Sequence, residues 1–194
     1  LVGQTAVESA LFNQQKPRIL HLATHGFFLQ GTEPAHEGAR GLAAVQKHQA
    51  ASSQDMKLLN PMLRSGIALA GVNRSLASGR DDGLVTAEKI LGLSLLGTDL
   101  VTLSACETGV GDVRAGEGVF GLKRAFILAG ARSVVLSLWS VPSRETTELM
   151  IAFYRQLSAG VAKATALRQA QLFMLKKYPH PFYWGAFQLV GSPE

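Results

Sequence analysis

Three short apolar runs, 18–24, 99–105 and 133–139, organise the chain. Each is rich in Leu, Val, Ile or Thr and ends where the pattern breaks, which marks a buried strand rather than a helix. Between and after them, apolar residues recur at spacings of three and four. Leu149, Ala152, Phe153 and Leu157 share one face of a helix that starts after Pro142, with Ser143 as its cap, and stops at Gly160. A helix over 117–128 ends at Gly130, where a left-handed residue is expected, and another spans 163–175 before Pro179 and Pro181. Residues 5–13 read as an opening helix with Ala6, Leu11 and Phe12 buried, ended by Lys16-Pro17. Thr86 can cap a short helix through 91. Stretches 66–71 and 186–190 supply further strands, Asn60-Pro61 marks a turn, and 30–56 and 73–83 read as polar loops. Strand–helix alternation of this kind predicts an α/β fold with a mostly parallel sheet covered on both faces.

Composition narrows the class. With 194 residues, 47% of them hydrophobic, the chain can bury a sizeable core. Neither a linker nor an internal repeat divides it, so residues 1–194 read as one domain. The sequence opens on Leu1-Val2-Gly3 and leads straight into a helical segment, as a fragment of a longer protein would. The formal charge of +5 admits acidic partners, yet the basic residues are dispersed, with pairs such as Lys123-Arg124 and Lys176-Lys177 the longest runs. Aromatics do not interleave with them, which argues against nucleic acid as a direct ligand. One cysteine cannot form an internal disulfide. The N-terminus lacks a signal-peptide pattern, and the apolar runs fall far short of the ~20 residues a membrane span needs. The default reading is a cytoplasmic domain away from the membrane.

The candidate chemistry lies at strand ends. In an open parallel sheet, loops diverge at the carboxyl edge and sites form there. His25 follows the first clear strand and Cys106 the second. If those strands are neighbours, an imidazole stands beside a thiol, which is what a cysteine nucleophile needs. Gly26 would let the backbone turn sharply after His25, and the amides of Gly26 and Cys106 would serve as oxyanion donors. Gly109 and Gly111 leave room for an extended peptide. Plainer roles fit the same residues: an inert buried thiol and a hydrogen-bonded surface histidine. A metal pair of His21 and His25 fails, because four residues of strand span about 13 Å and Leu22 stands where the helical zinc motif needs Glu. His21 reads as structural. The loop 109–114 begins like a dinucleotide fingerprint but carries Arg114 where the last glycine belongs.

At these residues the sequence resembles the CHAT family, caspase-like domains often attached to tetratricopeptide repeats in bacteria. The resemblance rests on His21-Leu22-Ala23-Thr24-His25-Gly26 and Leu103-Ser104-Ala105-Cys106-Glu107-Thr108-Gly109. Gly116-Glu117-Gly118, Ala129-Gly130-Ala131, Ser137-Leu138-Trp139, Phe153-Tyr154 and Tyr183-Trp184 through Phe187 continue it. It implies a three-layer α/β/α sandwich and a Cys106–His25 dyad. It also implies an oxyanion hole from Gly26 and Cys106, and no cofactor. Ser140-Val141-Pro142-Ser143-Arg144 departs from relatives that carry an acid shortly after the tryptophan.

The expected activity is therefore peptide-bond hydrolysis through a thioester on Cys106. Glu107, Asp112 and Glu117 are candidates to line a pocket for a basic substrate side chain. A module of the same fold that binds peptide without cleaving it, by adding it as an edge strand, is the alternative. A third reading is a protease silent until attached repeats or a regulatory protein act, with 30–56 as the activating segment.

Overall fold

A computed structural model describes residues 3–14, 16–28, 61–77, 83–107 and 115–194 of the chain. Among the described residues six strands form one sheet: β1 (Ile19–Phe28), β2 (Ser65–Ala68), β3 (Leu84–Thr86), β4 (Leu100–Glu107), β5 (Ser133–Ser137) and β6 (Phe187–Gly191), in the order β3-β2-β1-β4-β5-β6. The centre, β1-β4-β5, is parallel, while β2, β3 and β6 join through antiparallel pairings. The parallel expectation thus holds for the three apolar strands read most clearly from sequence. The flanks make the sheet mixed.

Side-chain alternation along the central strands serves two separate cores. On one face, Val101, Leu103, Val134 and Leu136 pack with Leu11 of α1 (Glu8–Phe12), Ile90 of α4 (Ala87–Ile90) and Leu122, Ala125 and Phe126 of α5 (Ala115–Leu128). The short helices α2 (Pro61–Arg64) and α3 (Val72–Ala77) precede α4 in the chain. On the other face, Leu100 and Val135 meet Leu149, Met150 and Phe153 of α6 (Ser143–Ser158). Ala166, Leu167, Ala170 and Met174 of α7 (Lys163–Lys177) complete that core. The result is a three-layer α/β/α sandwich.

Several local expectations carry through. Thr86 accepts from the Lys89 amide at 3.2 Å and caps α4. Gly130, at φ 108°, ends α5 with the Gly130 amide donating to Ile127 and the Ala131 amide to Phe126, the paired bonds of a Schellman turn. Others need correction. The opening helix is a 3-10 turn, Gly3–Thr5, followed by a five-residue α1, and Phe12 is exposed. Part of the presumed loop 73–83 is α3, a short helix whose polar residues hid its period. Ser143 is the first residue of α6 rather than its cap. Pro142 holds the cap position without a side-chain bond, and Ser143 accepts from Thr147 Oγ1 through its carbonyl. The segment 30–56 lies outside the described residues.

Candidate active site

Parallel pairing of β1 with β4 carries the geometry. From Ile19 opposite Leu100, the register climbs rung by rung to His25 opposite Cys106 and Gly26 opposite Glu107. Neighbouring strands lie about 4.8 Å apart, so positions eighty-one residues apart in sequence meet at the carboxyl end of the sheet. Residues paired in this way fall on the same side of the pleat. Positions 25 and 106 therefore share the face covered lower down by α6 and α7. The His25 imidazole is exposed.

Gly26 does not turn the chain. β1 runs on through Phe28, and β2 pairs along its other side, with His25 opposite Ala68 and Gly26 opposite Ile67. The sequence suggested a stop because His25-Gly26 ends the apolar run, but the added strand β2 extends the ladder past it. Thr24 donates through its hydroxyl to the Ala68 carbonyl, fastening β1 to β2 one residue before His25. Gly26 is buried in this central strand. Glu107 is the last residue of β4, one rung beyond Cys106, and Glu117 lies in the first turn of α5. Asp112, Gly109 and Gly111 lie outside the described residues.

Two and four rungs below His25 and Cys106, polar side chains enter the α6/α7 face. His21 and Thr102 are opposite each other, as are Ala23 and Ser104. His21 Nδ1 lies 2.9 Å from Tyr154 Oη, and its Nε2 lies 3.2 Å from Ser104 Oγ. Tyr154, on α6, donates its hydroxyl proton to Thr102 Oγ1 at 2.8 Å. The tyrosine oxygen is left to accept, which puts the imidazole proton on Nδ1 and leaves Nε2 to accept from Ser104. The two rings stack with centroids 5.5 Å apart. Part of the His21 ring is open to solvent, yet burial of the rest lowers its pKa, and burial raises that of Tyr154 against a smaller opposing effect of its bond to Thr102. Both shifts favour the neutral forms.

His21 was expected to be structural, and it does join three elements. Sequence reasoning missed its partners. The available signal was alternation: Thr102 and Ser104 are polar at every second position of an otherwise apolar strand, in step with His21 and His25 on β1. Both histidines lie in β1, so the strand spacing that argued against a shared metal holds.

The fold agrees with what the chain is similar to. The CHAT domain profile matches residues 1–192. Over 111 residues, 56% of this chain, it is 38% identical to human tetratricopeptide repeat protein 28 and 37% identical to the mouse protein of that name. Both relatives are far longer, and the match spans about 4% of their length.

Proposed function

Starting from the fact that this chain belongs to the CHAT family, a caspase-like group, we propose that it is a cysteine endopeptidase acting through Cys106 and His25. The register that sets His25 opposite Cys106 supports this reading most directly. A thiol in reach of an imidazole can lose its proton to it, and the thiolate is the attacking species.

In the proposed reaction Cys106 Sγ adds to the scissile carbonyl while His25 takes the thiol proton. Negative charge collects on the carbonyl oxygen, where the amides of Gly26 and Cys106 are the candidate donors. Collapse breaks the C–N bond, His25 returns its proton to the leaving amine, and a thioester remains on Cys106. Water, deprotonated by His25, then releases the acid and restores the thiol. This scheme uses no cofactor. Glu107, Asp112 and Glu117 are the candidates for a pocket that favours a basic residue before the cut. Tetratricopeptide repeats in the same polypeptide, as the relatives' names suggest, or a separate regulatory protein would govern access in a cytoplasmic setting. Among the described residues no helix is long and apolar enough to cross a membrane.

The test is a peptide library in which each amino acid is fixed in turn on the acyl side of the cut. The wild-type chain is expected to cleave with a preference for Arg or Lys, and Cys106→Ala to fall to background. Equal cleavage by the two proteins would overturn the protease reading. An acidic or apolar preference would remove the three carboxylates from the pocket and leave the dyad standing.

A further inference from the structure

We propose that Tyr154, His21 and Ser104 are positioning residues for the dyad: a relay of hydroxyl and imidazole groups that fixes the stagger of β1 against β4 and so the approach of His25 to Cys106. The inference rests on the protease reading above and deepens it.

Rung arithmetic places the relay. Thr102, Ser104 and Cys106 occupy alternate positions of β4, and His21, Ala23 and His25 the matching positions of β1. The His21 ring is opposite Thr102 but bonds to Ser104, one step nearer the rim on the same face. Its imidazole therefore reaches across the strand gap towards the rim. Apolar contacts could not fix the stagger as tightly, because they are indifferent to a slide of an ångström along the strand, whereas hydrogen bonds are directional. A slide of that size is enough to lower catalysis about a hundredfold.

The relay is also anchored from outside the sheet. Tyr154 follows Phe153, which is fully buried in the α6/α7 core, and the two rings are 5.4 Å apart. Leu149, one turn earlier on α6, is fully buried as well. Tyr154 is thus a fixed post against which His21 stacks and to which Thr102 is tied. Each side-chain polar atom of the His21, Tyr154, Ser104 and Thr102 relay lies within hydrogen-bond distance of another, so removing one oxygen strands others in a partly dry site.

Cys106 is the only cysteine in the sequence, so alkylation of the full chain by iodoacetamide reads this thiol alone, with no substrate required. At pH 7, His25→Ala is expected to slow alkylation relative to wild type. Tyr154→Phe, which keeps the ring stack, and Ser104→Ala are each expected to slow it about tenfold. They should also move the midpoint of its pH profile up by about one unit, the shift equivalent to a tenfold change. His21→Gln, which retains a donor and an acceptor, should recover part of the rate that His21→Leu loses. Glu148→Gln serves as the control for stability alone, since it weakens the tie from α6 to Lys177 of α7 and Tyr178 without touching the relay. It should leave the rate unchanged. Wild-type rates in Tyr154→Phe and Ser104→Ala, with His25→Ala slow, would overturn the relay and leave the dyad intact. A wild-type rate in His25→Ala would overturn the dyad and the relay together. Should Tyr154→Phe fail to fold, Ser104→Ala, which removes one oxygen, decides.

Discussion

His21 binds a proton less readily in the folded protein than in an exposed chain, and the consequence can be measured apart from any activity. Its folded pKa lies below the ordinary 6.5 because burial disfavours the imidazolium. The unfolded chain then takes up the proton first as pH falls. Stability contributed by the neutral ring is complete above about 6.5 and is lost progressively as pH drops towards the folded value. Urea midpoints should therefore fall between pH 7.5 and 5.5, and the fall should be smaller in His21→Gln. An equal fall in both proteins would show that other histidines carry the effect. At this scale the sequence was informative about identity and silent about partnership. His25 and Cys106 stood out because each ends an apolar run, where a reactive group has little structural reason to be. Tyr154 gave no such sign, since an aromatic on an amphipathic helix reads as core. Only the folded register shows that its hydroxyl faces two strands at once.

Elements were legible in proportion to how much of their stability is local. The strands at 18–24, 99–105 and 133–139 and the two long carboxyl-terminal helices carry strong period and were read to within a few residues. β3 has three residues, α3 has six, and α1 has five. Such pieces form because neighbours hold them, which no window of sequence contains. β2 shows the same dependence at a single residue. Gly66 pairs with Phe27 on one side and with Thr86 on the other. A methyl group there would stand 2.5 Å from both Phe27 Cζ and the Val85 carbonyl oxygen. The phenyl ring can yield, but the carbonyl belongs to the sheet. Gly66→Ala should destabilise the protein by about 1–3 kcal/mol, as overpacking of a filled site does. Because Phe27 lies two residues beyond His25, the variant should also slow Cys106 alkylation. A urea midpoint unchanged from wild type would show that β2 can shift without loss.

At the scale of the whole molecule, β4 is tied to its α6/α7 layer by polar contacts at both of its ends. Near the carboxyl rim the fastening is the Thr102–Tyr154–His21–Ser104 chain. At the amino end it is Lys163, the first residue of α7, whose Nζ lies 2.7 Å from Asp99 Oδ1. The partners differ in exposure: the lysine side chain is 4% accessible and the aspartate 30%. That asymmetry decides which substitution hurts more. Asp99→Asn leaves a buried ammonium facing a neutral amide, and breaking a buried pair in this way costs about 3–5 kcal/mol. Lys163→Met leaves a carboxylate that water can still reach, so the loss should be smaller. In the double variant the buried charge is gone and an apolar chain fills its place, so it should be more stable than Asp99→Asn alone. Asp99 lies seven positions before Cys106, about 23 Å along an extended strand, so once folded all three variants should alkylate Cys106 at the wild-type rate. Slower alkylation in folded Lys163→Met would mean that the amino-terminal tie also sets the rim, and that β4 moves as one rigid bar between its two fastenings.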